Sequence, residues 1–307
     1  MNYTLHQLQV FLKVVEKKSV TKASQDLHLS QPAVSIQLRK LQDQFDIPLT
    51  EIIGRRLFIT DFGYEIAAIS REILKHVEGI ETTMLAHQGF LAGQLKIALV
   101  STAKYVMPYF LADFMSQHKG VDLKMDVTNK AAVIKDLEQN LVDFALVSVL
   151  PEGLELNSIS LMPNNLFLVG KPNKNETADP PLLESSRLIF REKGSATRNA
   201  MEGFFEALKI TGRKSMELTS NEAVKQAVLS GLGYSVVPLI GLKNELMNGH
   251  LEIFPMKGLP IRTTWNIVWL KNKKLSPVAR AYLQYLEAEK DKLIKEHFQW
   301  YQDFVNR

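Results

Sequence analysis

The chain has 307 residues, 46% of them hydrophobic, no cysteine and a formal net charge of +4. This length exceeds what one compact core normally holds, so two or more domains are expected, and the missing cysteines exclude a disulfide framework or a thiolate metal site. The start, Met1 to Gln7, has neither a basic region nor an apolar core, and no apolar run approaches membrane-spanning length; the expectation is a cytoplasmic chain with no signal and no membrane partner.

Residues 1–60 carry eight of the 37 cations and five of the 33 anions, leaving 29 cations against 28 anions in the remainder. The surplus sits where a phosphate-contacting module would need it. Leu5, Leu8, Val10, Phe11, Val14 and Val15 recur at helical spacing and predict a first helix. Val20 to Ser35 then reads as two short helices joined by a tight turn. Ser30 is a good N-cap, and Pro32 falls in the first helical turn, where its missing N–H costs nothing. Val20, Ala23, Leu27, Leu29, Val34, Leu38 and Leu41 form the inward face, leaving Gln31, Ser35, Gln37, Arg39 and Lys40 outward. A capped helix offering amides and hydroxyls first and cations later suits a DNA major groove; an ordinary αα-hairpin has the same local pattern. Gly54 to Thr60 reads as a two-stranded wing with Arg55 and Arg56 at its tip, placed to touch phosphates.

From Phe62 to about His87, Ile66, Ile69, Ile73, Leu74, Val77, Ile80, Met84 and Leu85 predict one helix of roughly 40 Å. Its apolar stripe needs a partner, and a second copy of the chain is a better one than its own small domain. Gly89 and Gly93 then loosen the chain. Beyond Gln94 strands and helices alternate: Leu95–Val100, Leu123–Val127 and Phe144–Val149 as strands, with helices over Ala103–Gln117 and Ala131–Asn140. A second run follows with strands Leu166–Gly170, Leu188–Phe190, Ser215–Leu218 and Tyr234–Val237 and helices Ala196–Leu208 and Asn221–Ser230, before a return through Thr264–Leu270. This predicts α/β winding with a largely parallel sheet, in two lobes crossed near Ser160 and Thr264. Arg280 to Arg307 reads as a charged helix with Leu283, Leu286, Leu293, Ile294 and Trp300 at loose spacing, taken as a solvated tail rather than an oligomer contact.

Four strand-to-helix junctions carry hydroxyls or amides: Ser101-Thr102, Thr128-Asn129, Gly194-Ser195-Ala196-Thr197 and Ser220-Asn221. Helix N-termini present free N–H groups and partial positive charge to an anion, and open α/β sheets bind ligands at the carboxyl ends of strands. Each junction alone is better explained as an ordinary N-cap; convergence of all four on one cleft would mean more.

"SVTKASQDLHLSQPAVSIQLRKL" (Ser19–Leu41), "GRRLFIT" and Gly63 together resemble the LysR-type transcriptional regulators. Ser24 stands where a second alanine is usual, Ile36 at an often polar position, and Thr50 and Ile52 replace the usual Phe and Arg before the wing. "STAKY" (Ser101–Tyr105), "FREKGSATR" (Phe190–Arg198), "SNEAVKQAVLSGLGYSVVP" (Ser220–Pro238) and "LSPVARAYLQYL" (Leu275–Leu286) resemble the branch holding regulators of the RuBisCO operon and of sulfur assimilation. The resemblance implies an α+β multidomain chain: a winged helix-turn-helix over 1–60, a dimerising linker helix over 61–90, and a two-lobed α/β effector domain of periplasmic-binding-protein type over 91–290. Lobe I would span 91–161 and 265–290, lobe II 162–264, and 291–307 would be a helical extension beyond the family's usual end. It implies double-stranded DNA as a partner, met by Gln31, Pro32 and Ser35 at base edges and by Ser30, Arg39, Arg55 and Arg56 at phosphates. It implies a small anionic effector held by Ser101, Thr102, Ser148, Ser195 and Thr197, with Ser220 and Asn221 second-rank and Arg191 either charging the ligand or pairing with Glu192. Homodimers, a tetramer built as a dimer of dimers, and RNA polymerase as a further partner follow from the same likeness.

Enzyme readings find no chemical constellation. The seven histidines show no metal-ligand spacing, Gly194-Ser195-Ala196 lacks the nucleophile-elbow pattern, and Gly231-Leu232-Gly233 is a lone pair that a helix C-cap explains. No catalytic residue, metal or cofactor is assigned. The competing class is a solute-binding or enzymatic α/β protein with a helical N-terminus that ignores DNA.

Overall fold

Thr4 opens the first helix, α1 (Leu5–Lys17), with a capping box: its hydroxyl accepts from the Gln7 amide while Gln7 accepts from the Thr4 amide. Ser19 caps α2 (Val20–Asp26) and Ser30 caps α3 (Gln31–Gln42), whose second residue is Pro32. The computed structural model describes residues 2–54, 56–87, 90–172, 183, 186–209 and 214–305, with only the backbone described at 78, 81–83 and 85–87. It divides into two units, 1–90 and 91–307.

In the first unit Leu8, Phe11, Val14, Ala23, Val34, Leu38 and Leu41 share one core with Leu49 and Ala67. Ser24 is buried there, and its hydroxyl donates to the Thr21 carbonyl at 2.8 Å, so the polar group in an alanine position is satisfied within its own helix. The wing is β1 (Thr50–Ile53) paired antiparallel with β2 (Arg56–Ile59), Ile53 opposite Arg56. Thr50 and Ile52 therefore lie inside the wing rather than before it, and Thr50 is tied to the end of α3 through the Gln42 side chain at 2.9 Å. Helix α4 (Asp61–His87) follows, its Gly63 amide donating to the Thr60 hydroxyl. A Cβ on Gly63 would stand 2.1 Å from the Leu49 carbonyl oxygen, so only glycine lets the wing and α4 approach this closely. Ile66, Ala67, Ile73 and Leu74 pack on the core, whereas Ile69, Val77, Ile80 and Met84 are exposed.

The second unit begins with β3 (Ala92–Val100), so Gly93 lies within a strand opposite Val121 rather than in a loosened linker; Gly89 lies outside the described residues. β3 is flanked in parallel by β4 (Gly120–Thr128) and β5 (Phe144–Val147). The predicted helix Ala103–Gln117 is divided. A 3-10 turn covers Ser101–Tyr105 and α5 covers Met107–Gln117, because Pro108 has no N–H for a bond back to Lys104 and is tolerated only in a new first turn. Helix α6 (Lys130–Glu138) joins β4 to β5.

Strand β6 (Leu156–Gly170) is far longer than the predicted Leu166–Gly170 and pairs antiparallel with β11 (Ile261–Leu270) along its length, with a bulge between Trp265 and Asn266. The sheet order is β10-β6-β11-β5-β3-β4, with β9 (Ser235–Pro238) also on β6, β10 being Glu252–Ile253. The expected largely parallel sheet is thus mixed. A chain that leaves one lobe and returns must cross in opposite directions, so the two crossing strands pair antiparallel. Lobe II adds parallel β7 (Arg187–Arg191) and β8 (Lys214–Leu218), with α7 (Ala196–Ala207), α8 (Asn221–Leu229) and α9 (Lys243–Met247).

The C-terminal helix α10 (Pro277–Val305) corrects the solvated-tail reading. Leu293, Phe298 and Tyr301 are buried in the lobe I core, Phe298 stacking on Phe110 with ring centroids 5.9 Å apart. The Tyr301 hydroxyl accepts the Asn165 backbone N–H at 2.6 Å, on crossing strand β6. The buried side chains Val278, Tyr282, Leu286 and Leu293 precede a kink at Phe298 (φ −122°, ψ 15°), and Tyr301 beyond it is buried as well.

Candidate functional site

In the first unit the buried Val34, Leu38 and Leu41 hold α3 by one face. Gln31, Pro32, Ser35, Arg39 and Lys40 are left exposed on the other, whereas Gln37 is half-buried rather than outward. Ser30 Oγ accepts from the Ala33 amide at 3.3 Å. Arg39 is 85% exposed and only loosely paired with Asp43 at 4.0 Å, so its charge is available to a phosphate. Arg56 is exposed at the start of β2; Arg55 lies outside the described residues. Ile36 is also exposed on this face, an apolar group beside the hydroxyl of Ser35.

In the second unit a narrow cleft lies between the lobes, lined by Val100, Ser101, Thr102, Asn129, Lys130, Ser148, Arg191, Ser195, Ala196, Thr197 and Asn221. It gathers every predicted effector residue except Ser220, which is exposed and whose hydroxyl is taken by the Ala223 amide at 3.0 Å. The neighbour Asn221, one residue into α8, lines the cleft instead.

The topology explains the convergence. β3 ends at Val100 and hands over to Ser101 and Thr102; β4 ends at Thr128 and hands over to α6; Ser148 follows β5; Arg191 ends β7. Three α-helices, α6, α7 and α8, start here and aim partial positive charge into one space. Asn129 caps its own helix, its Oδ1 accepting from the Ala132 amide at 3.0 Å. Ser195 is buried and makes no side-chain cap bond, which leaves the first amides of α7 and the serine hydroxyl uncommitted. Asn221 is only 9% exposed, and its Oδ1 has no hydrogen-bond partner among the described residues.

Arg191 is buried, and its Nε and Nη2 hold the two carboxylate oxygens of Glu192 at 2.8 and 2.9 Å. The pairing with Glu192 is therefore a buried two-pronged one, not a surface contact. Nη2 also donates to Ser101 Oγ at 3.1 Å, joining lobe II to lobe I across the cleft. Behind it, Arg198 Nη1 donates to the Arg191 carbonyl at 2.8 Å and is paired with Glu202 and Glu217, which hold its guanidinium above its ordinary pKa despite some burial. Lys104 sits 5.0 Å over the Tyr105 ring.

Lys130 is the cleft residue that sequence reasoning missed. Its signal was its position directly after the Asn129 junction, at the first turn of a helix, where cations are normally disfavoured by the helix dipole. Among the described residues no group of three His, Asp or Glu side chains could hold a metal ion, and no helix is long and apolar enough to cross a membrane.

Residues 5–64 match the family described as bacterial regulatory helix-turn-helix protein, lysR family, and residues 88–291 match the LysR substrate binding domain. The chain is 38% identical over 293 residues to a RuBisCO operon transcriptional regulator of Allochromatium vinosum, covering 94% of this chain and 97% of that protein. It is 34% identical over 291 residues to the HTH-type transcriptional activator CmpR of Synechocystis, covering 94% and 96%. Among solved structures, the regulatory domain of CcmR from Synechocystis PCC6803 in complex with 2-PG matches with a TM-score of 0.60 and 33% identity, covering 64% of this chain and 97% of that one. Full-length CbnR complexed with its target DNA shares the fold, with a TM-score of 0.64 at 17% identity over 93% of this chain and 99% of that one. Helix-turn-helix and substrate-binding matches in this order, with relatives aligned nearly end to end, place the chain in the LysR family of bacterial transcriptional regulators.

Proposed function

We propose that the chain switches transcription when a small anion binds at Ser101, Thr102, Ser148, Arg191, Ser195, Thr197 and Asn221, and that it has no catalytic activity of its own. The carrying observation is the convergence of three α-helix starts with uncommitted polar groups on a cleft between two lobes. A ligand that prefers one lobe arrangement shifts the population toward it. On the DNA side, Gln31, Pro32 and Ser35 meet base edges, and Ser30, Arg39, Arg55 and Arg56 hold phosphates; the exposed faces of α3 and β2 support this, and Arg55 is kept for its place in the wing. The exposed Ile69, Val77, Ile80 and Met84 on α4 support pairing with a second copy. Two such pairs would form the tetramer, and the setting is the cytoplasm. The domain limits are 1–60, 61–90 and 91–290, with 291–307 as an extension.

The ligand carried by the CcmR regulatory domain, 2-PG, is the first probe to test. Titration calorimetry of the full-length chain against 2-PG and inorganic phosphate should give heat that is lost in the double variant Thr102→Ala, Thr197→Ala. No heat with either anion, or heat unchanged by that variant, would overturn the cleft assignment.

A further inference from the structure

We infer that Lys130 is the specificity-determining residue of the cleft, selecting a doubly charged phosphate over a singly charged carboxylate. The inference rests on the proposed anion site and adds which side chain reads the ligand's charge.

Two cations line the cleft, and they are not equivalent. Arg191 is neutralised by the two-pronged Glu192 contact at 2.8 and 2.9 Å, with Ser101 taking a further N–H. Lys130 has no carboxylate within ion-pair distance among the described residues, and no Asp or Glu lines the cleft. An arriving anion therefore meets one uncompensated full charge, that of Lys130.

The position of that charge is electrostatically costly. Lys130 begins α6, where the helix already contributes partial positive charge, and no acidic residue occupies the first turn to offset it. A cation at the positive end of a helix is destabilising unless an anion sits there. Doubling the anion's charge doubles its attraction to Lys130 at a given distance, so the selectivity follows from the charge itself.

A second feature points independently to a ligand. Asn221, nine-tenths buried on the lobe II side, presents an unpartnered amide oxygen in the same cleft. An amide can turn either edge toward a ligand, giving N–H to a phosphate oxygen or accepting from a hydroxyl.

The test uses the full-length chain and two probes, inorganic phosphate and glycolate, titrated against wild type, Lys130→Gln and Lys130→Arg. A hydrogen bond between charged groups is worth roughly ten- to hundredfold in affinity. Lys130→Gln should weaken phosphate by about that factor and glycolate severalfold less, while Lys130→Arg retains phosphate. Equal losses for both probes, no loss for phosphate, or failure of Lys130→Arg to retain it would each overturn the role given to Lys130 while leaving the cleft in place. Wild type binding neither probe would overturn the role given to Lys130, and the absence of heat with 2-PG as well would overturn the cleft itself.

Discussion

The hydroxyl of Tyr105, on the 3-10 turn after β3, donates to Glu222 Oε2 at 2.9 Å and so joins the first lobe to helix α8 of the second. Glu222 also holds Lys225 at 3.1 Å, and Lys225 reaches Glu245 at 2.9 Å, so the contact ends a short chain of charges. Burial, reinforced by the Glu222 carboxylate, pushes the Tyr105 hydroxyl up to about 12, so it stays a donor through the neutral range. Burial alone would raise Glu222, but bonds from Lys225 and Tyr105 outweigh it and hold the carboxyl below its ordinary value.

Tyr105→Phe should cost about 1 kcal/mol of stability, the usual worth of one hydrogen bond, measured by urea denaturation. Glu222 has a lowered folded-state pKa, so its contribution is present above its ordinary value of 4.5 and is lost as pH falls through the folded value. The stability gap between wild type and Glu222→Gln should accordingly be full at neutral pH and close in acid. A gap that stays constant into acid would contradict the pairing.

Glu192→Gln removes the neutralising partner of a nearly buried guanidinium. Breaking one side of a buried pair costs about 3–5 kcal/mol, which should lower the melting temperature. The freed charge faces the anion cleft, so phosphate should bind more tightly to the variant than to wild type and restore more of its melting temperature. Equal thermal shifts in both proteins would show that Arg191 does not reach the ligand.

On DNA, Gln31→Ala should reduce discrimination between cognate and scrambled sites with modest loss of overall affinity. Arg56→Ala, and likewise Arg55→Ala, should weaken binding to every sequence and flatten the salt dependence by about one phosphate contact. Gel-shift titrations at several salt concentrations measure both effects. An unchanged salt slope for either arginine would remove it from the phosphate-holding set.

Phe298→Ala removes a buried ring from the lobe I core and should cost about 3–5 kcal/mol. Tyr301→Phe keeps the ring but leaves the Asn165 amide without its acceptor, costing about 1–3 kcal/mol. Chemical denaturation of the full chain reads both, and losses near zero would return the last turns of α10 to solvent.

The helices of the N-terminal unit were legible from the sequence, because caps, a proline in the first turn and apolar spacing are local properties, while the half-burial of Gln37 and the start of the wing at Thr50 were not. Ser30, Pro32, Val34 and Leu38 stand where those patterns put them. The strand and helix positions in the second unit were legible for the same reason, as were most of the polar junctions that end up in the cleft.

Other features depended on contacts between residues distant in the chain. The pairing of β6 with β11 made one long strand where local pattern marked five residues. A single residue's difference in direction put Asn221 in the cleft and turned the Ser220 hydroxyl to its own helix. Burial of Phe298 and Tyr301 depends on their contacts with α5 and β6, 136 or more residues away in the chain. Sequence by itself determined which segments form helices and strands and which residue types stand at their ends, since those preferences act within a few residues. Only the tertiary structure decided which of those ends meet, which charges are already paired and which cleft cation, Lys130, has no carboxylate partner among the described residues, since these depend on distances across the fold.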